Sequence, residues 1–205
     1  DTLDALGPFE VFSHGRRAGA GLEVSLVTLE PDELVTSGQG ISIVPDGTLS
    51  IETGDGKDRS DRAARDTIGP ADLIVVPGGG WADRATVGAW AEAQRGVIPE
   101  TLARLHEEGA TMASVCTGGM LLAEAGLTDS RPAVTHHEAL DELAASGATV
   151  IDSRVVDDGD IITAGGITAG IDLALYILER EFGREVAESV EETMEYERRG
   201  SVHTG

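Results

Sequence analysis

Met112-Ala113-Ser114-Val115-Cys116-Thr117-Gly118-Gly119-Met120 is the stretch from which the fold is read. A short apolar run through Val115 ends at a cysteine, two glycines follow, and Met120 to Ala125 then read as a buried helix that stops at Gly126. The pattern is strand, sharp turn, helix. A residue at such a turn presents its side chain above the carboxyl edge of a sheet, in line with the free N–H groups of the next helix, the geometry of a nucleophile elbow. Cys116 is the only cysteine. A lone cysteine is most often a small buried hydrophobe, but this context points to a nucleophile. The positive end of the helix dipole is expected to lower its thiol pKa.

Outward from the elbow, Asp72-Leu73-Ile74-Val75-Val76-Pro77 is a nearly pure apolar run, the mark of a strand covered on both faces. Gly78-Gly79-Gly80 leaves its end and is a candidate oxyanion loop or a plain tight turn. With no Gly-Lys-Ser or Gly-Lys-Thr after it, it is not a phosphate loop. Leu22 to Leu29 alternates as a strand, and Leu34 to Val44 reads as a small hairpin around Ser37-Gly38-Gln39-Gly40. Residues 46–69 turn polar and are expected to form an exposed acidic insertion, with a short helix near Arg62 to Asp66. Helices are expected at Val87 to Arg95, Glu100 to Glu108 and Glu138 to Ala145, with strands at Ala133 to Thr135, Thr149 to Ile151, Arg154 to Val156 and Ile161 to Ala164. Gly165-Gly166 is expected to open the longest helix, and a charged helix over Glu185 to Arg198 to precede a polar tail. At the other end, a helix is expected to begin around Pro8, with Asp4 just ahead of it as a possible cap. Alternating strands and helices without repeat or linker make one α/β domain over residues 1–205 with a mostly parallel central sheet.

Composition narrows the function classes. Acidic residues number 37 against 15 basic, a net charge of −22, and Lys57 is the only lysine. Such a surface repels nucleic acid and anionic membrane, and its distribution along the whole chain suits a salt-rich, halophilic setting. No apolar run reaches the length of a membrane span, and a single cysteine excludes an internal disulfide, so the expected setting is cytoplasmic. No His-x-x-x-His or paired-cysteine motif calls for a metal, and no cofactor is expected.

Four stretches together resemble the ThiJ/PfpI superfamily: Leu3 to Val11, Ile74 to Gly79, Ser114 to Gly118 and Thr163 to Asp172, joined by Thr135-His136. The resemblance implies a flavodoxin-like three-layer sandwich of the class I glutamine amidotransferase-like kind. Within it the chain is most similar to the isocyanide hydratase-like branch and to amidotransferase-like domains of transcription regulators. The former implies Cys116 as nucleophile, Asp4 as the acid bonded to it and Thr117 as a neighbour shaping the pocket. Substrate or oxyanion contacts are implied at Gly78, Gly79, Gly118, His136, Gly166 and Ile167. Thr117 stands where peptidase and glyoxalase members have a histidine, so proteolysis is not expected. The resemblance also implies a homodimer, and an apolar strand before Asp1 that leads to the expectation that the recorded sequence starts late. The expected activity is hydration of a small carbon–nitrogen substrate such as an isocyanide. A redox-sensing binding protein and a glyoxalase or deglycase are the alternatives.

Overall fold

The computed structural model describes residues 1–31, 34–49, 67–68 and 71–205. Its centre is a five-stranded sheet built on β7 (Thr111–Val115), whose small and apolar residues allow burial on both faces. On one side β7 pairs in parallel with β6 (Leu73–Val76), and on the other with β11 (Ile161–Ala164). Beyond β11 lie β10 (Val155–Asp157), antiparallel to it, and β12 (Val202–Thr204), parallel to β10. The order is therefore β12-β10-β11-β7-β6, mostly parallel.

Helices cover both faces. On one, α1 (Thr2–Arg17), α6 (Ala169–Phe182) and α7 (Arg184–Met194) bury Val11, Phe12, Leu173, Leu178 and Val190 against Val115 and Ile162. On the other, α2 (Ala89–Arg95), α3 (Val97–Glu107), α4 (Gly118–Glu124) and α5 (Leu140–Ala145) bury Leu102, Leu105, Leu122 and Leu143 against Met112 and Ile161. This is the three-layer α/β sandwich expected.

Smaller pairings surround it. The strands β1 (Val27–Thr28), β4 (Gly47–Leu49) and β5 (Thr67–Ile68) form a parallel sheet, β2 (Val35–Thr36) and β3 (Ser42–Ile43) the expected hairpin, and β8 (Pro132–Ala133) and β9 (Thr149–Val150) a short parallel pair. Both ends of the expected acidic insertion carry strand, at Gly47–Leu49 and Thr67–Ile68. The remainder from residue 50 to 66, with the helix expected over Arg62 to Asp66, lies outside the described residues.

Three expectations are corrected. Helix α1 begins at Thr2, so Asp4 is inside its first turn and Pro8 inside the helix. Proline removes the N–H that would bond the Asp4 carbonyl. Packing overrides that loss: a Cβ on Gly7 would sit 3.3 Å from Ile171, one on Gly15 only 2.7 Å from Leu178, and one on Gly170 3.3 Å from Pro8. Helices α1 and α6 thus meet at glycines, which locks Asp4 in place. At 16 residues α1 is also longer than α6 at 14. Finally, the polar tail contains β12, held by pairing Val202, His203 and Thr204 with Val155, Val156 and Asp157. A three-residue strand leaves too short a pattern to read from sequence.

Candidate active site

Where β7 ends, the chain turns sharply. Cys116 has φ of 57°, in the left-handed region that a non-glycine residue enters at a cost of about 1–3 kcal/mol. Four hydrogen bonds hold it there. Its N–H is shared between the carbonyls of Ala164 and Gly165, both at 3.1 Å, and its carbonyl accepts the Thr135 hydroxyl at 2.7 Å and the Gly119 N–H at 3.2 Å. Thr117 caps α4, and Cys116 is 4 % exposed.

Two glycines let the neighbouring loop approach the elbow. A Cβ on Gly118 would lie 2.1 Å from the Val76 carbonyl oxygen, and one on Gly78 would lie 2.4 Å from the Thr117 nitrogen and 2.6 Å from that of Gly118. Neither position admits a side chain. Gly79 takes φ of 128° and donates its N–H to the Thr117 hydroxyl at 2.8 Å. The Gly79 N–H expected to face an oxyanion is therefore already engaged. The N–H groups of Thr117 and Gly118 have no backbone partner among the described residues.

Asp4 enters from the first turn of α1 and is fully buried. Its Oδ2 accepts the Gly78 N–H at 3.2 Å, while Oδ1 is buried without a partner of good geometry. A carboxylate left half satisfied in a dry site favours its protonated form. Burial raises the Asp4 pKa, against the nearby positive amino group of Asp1, the Cys116 thiol and the Gly78 N–H. The thiol is pushed up to about 12, first by its own burial and then by the Asp4 charge, against the N–H and hydroxyl of Thr117. The depressed thiol pKa expected from the helix dipole is thus reversed. One buried acid beside one buried thiol outweighs the half-charge of a seven-residue helix, and the thiol keeps its proton rather than resting as a thiolate.

His136 comes to the same place. A Cβ built on Gly166 would lie 2.2 Å from His136 Cδ2 and 3.1 Å from Cys116 Sγ, so ring, glycine and thiol are in contact around one point. The Glu138 N–H donates to His136 Nδ1 at 3.4 Å, which leaves the ring proton on Nε2, on the Cδ2 side that faces Gly166. Burial, and next the His137 charge, lower the His136 pKa and keep the ring neutral. Ile167 packs with the α1–α6 core at the start of α6. A cavity of 390 Å³ opens on the other side of the Gly165-Gly166 turn, bordered by Thr135, His137, Leu140, Ser153 and Arg154. Thr135, which anchors the Cys116 carbonyl, is not singled out by the sequence. Only its place beside His136 marks it, and a threonine after a short strand carries no signal of its own.

An α/β sandwich with a strained cysteine at a strand-to-helix elbow, paired with a buried acid, defines a class of cysteine-centred domains. The family is shown by comparison: residues 1–180 match the DJ-1/PfpI family, and the chain belongs to it. An isonitrile hydratase of Pseudomonas putida is 33% identical over 199 residues, covering 95% of this chain and 73% of that protein. The HTH-type transcriptional regulator CdhR of Pseudomonas aeruginosa is 38% identical over 106 residues, 49% of this chain and 32% of the regulator. Among solved structures, a THiJ/PfpI family protein from Pseudomonas syringae superposes with a TM-score of 0.75 at 26% identity, covering 97% of this chain and 72% of that one. Among the described residues no helix is long and apolar enough to cross a membrane.

Proposed function

We propose that the protein is a cofactor-independent hydratase of small isocyanides, with Cys116 as nucleophile and Asp4 as proton carrier. The observation that carries this reading is the juxtaposition of the strained, buried Cys116 with the buried Asp4, whose Oδ1 has no partner. The likeness to an isonitrile hydratase supports the substrate class.

The raised thiol makes Asp4 a base that acts during attack rather than a bystander to a preformed thiolate. Sulfur adds to the terminal isocyanide carbon as its proton passes to Asp4 and from there to the same carbon. The product is a thioimidate, R–N=CH–S–Cys116. Water then adds to that carbon, giving one proton to Asp4 while nitrogen takes another. The C–S bond breaks, its electron pair returns to sulfur with the proton, and R–NH–CHO leaves. One water is consumed and no electrons are exchanged. Charge that develops in the adduct faces the N–H groups of Thr117 and Gly118. The same high thiol pKa and burial oppose spontaneous oxidation, which weighs against a redox sensor.

Formamide release from a panel of small isocyanides tests this, with methylglyoxal and peptide amides as competing substrates. Turnover of isocyanide that disappears in Cys116→Ala is expected. Turnover of methylglyoxal alone, or equal isocyanide turnover in Cys116→Ala, would sink the assignment.

We also propose that the working form is a homodimer that needs molar salt, because the carboxylates repel one another and apolar side chains such as Leu34, Ile41 and Val44 lie exposed. Light scattering across a potassium chloride series is expected to give twice 21.3 kDa at high salt, with unfolding or dissociation in dilute buffer. A monomer at every salt concentration would rule this out.

A further inference from the structure

The sequence carries no spaced metal motif, but the fold assembles one from neighbours. At the 3-10 turn His137–Ala139, which follows β8, ligand atoms of His136, His137 and Glu138 all lie within 4.8 Å of one another. The two imidazole rings are 4.2 Å apart, centre to centre, and tilted by 41°. Successive side chains usually diverge. Here the turn swings both rings to one side, and Glu138 follows with Oε2 3.6 Å from His136 Nδ1.

Each of the three atoms lacks a strong competitor. His136 Nδ1 has only the long 3.4 Å bond from the Glu138 N–H, and among the described residues the His137 ring and the Glu138 carboxylate have no hydrogen bond. The site also has an entry path, since His137 borders the 390 Å³ cavity. Two imidazoles and one carboxylate are the donor set of three-ligand zinc sites that keep a fourth position open. Ligands about 2.0–2.2 Å from one tetrahedral ion lie about 3.3–3.6 Å apart, so closing the set takes rotation of the exposed His137 and Glu138 side chains toward His136.

We propose that His136, His137 and Glu138 bind one divalent transition-metal ion of the zinc type, with water in the fourth position. His136 would use Nδ1, leaving Nε2 directed at Gly166 and Cys116. The ion would therefore sit behind the imidazole that borders the thiol, outside the reaction proposed above and independent of it.

The test is zinc titration of chelator-stripped full-length protein in molar potassium chloride with excess magnesium, which occupies the many surface carboxylates. Uptake of one equivalent is expected, and His137→Asn and Glu138→Gln should each weaken it at least about tenfold, since even outer-shell changes cost about 10- to 100-fold in affinity. Cobalt in place of zinc should give the visible bands of a nitrogen and oxygen site. No uptake, uptake that magnesium displaces, or equal uptake by both variants would overturn the proposal. So would a thiolate-to-cobalt charge-transfer band lost in Cys116→Ala, which would put the metal on the nucleophile.

Discussion

Asp4 and the other acids around the central sheet are treated in opposite ways. At the carboxyl end Asp4 has one long N–H bond and an unpartnered Oδ1. At the amino end, where the Met112 N–H bonds the Asp160 carbonyl, Asp157 accepts the Tyr176 hydroxyl at 2.5 Å, the Gly159 N–H at 2.7 Å and the Arg180 guanidinium at 3.2 Å. Arg131 joins Asp158 to Asp160, and His106 bonds Asp160 at 2.7 Å. Back at the carboxyl end, in the first turn of α6, Asp172 shows the same saturation, with the Arg154 guanidinium, the Tyr196 hydroxyl and the Arg199 N–H all donating to it. A buried carboxylate with a full set of donors is structural, because its charge is already balanced. One that lacks them must either hold a proton or pass it on.

The largest expected effect comes from removing the unsatisfied acid's chemistry while keeping its shape. Asp4→Asn should lower kcat for isocyanide hydration by about 10²–10⁴, the usual worth of a positioned acid–base group. Full activity in this variant would erase the distinction between Asp4 and the saturated acids.

Next in size is the removal of a satisfied acid. Asp172→Ala strands Arg154, Tyr196 and the Arg199 N–H and should destabilise the fold by about 3 kcal/mol, the lower end for breaking one side of a buried pair. The urea midpoint at constant slope measures this. A loss of kcat without a shift in midpoint would mean that Asp172 belongs to the site instead.

A third test separates Asp4 from the saturated acids by its sign. The folded-state pKa of Asp4 is raised, so the native chain binds more protons above the ordinary carboxylate range. The favourable contribution is complete below that range and is lost as pH rises through the raised value. Asp4→Asn should therefore unfold at a higher denaturant concentration than the parent at neutral pH, although it is less active. It should also bring the Cys116 alkylation midpoint well below 12, because the second cause of the high thiol pKa is the Asp4 charge. An unchanged midpoint would show that burial alone sets it.

The smallest effect is expected at Asp160, held down to about 2 chiefly by its bond from Arg131. A depressed acid contributes above the ordinary carboxylate range and loses that contribution as pH falls toward 2. Half of this side chain is in water, so Asp160→Asn should cost only about 0.5 kcal/mol at neutral pH and flatten the acid limb of the stability curve. A change as large as that expected for Asp172 would mean that the pair is shielded from solvent.

The order of strands and helices, the elbow and the hairpin could be read from the sequence because each rests on a local signal. The unbroken apolar run from Leu73 to Val76 declares a doubly covered strand, and Cys116 between Val115 and Gly118 declares the turn. Local signals failed where distant packing decided. Pro8 reads as a helix start, yet α1 runs through it because Gly7 and Gly15 let α6 come close. Val202 to Thr204 reads as tail, yet it is a strand because Val155 to Asp157 offers it an edge.

The sequence by itself determined the α/β order and the one available thiol, since these depend on residue type and short-range periodicity, whereas Asp4 as the thiol's partner was implied only by the family resemblance of Leu3 to Val11. Tertiary structure alone decided the state of that thiol. A helix dipole is a local property and argues for a thiolate, whereas burial and the charge of Asp4, brought to Cys116 from the far end of the chain, act through space and raise its pKa to about 12. Only folding could also gather His136, His137 and Glu138 onto one side of a turn, because the direction of three successive side chains follows from backbone angles that no spacing rule encodes.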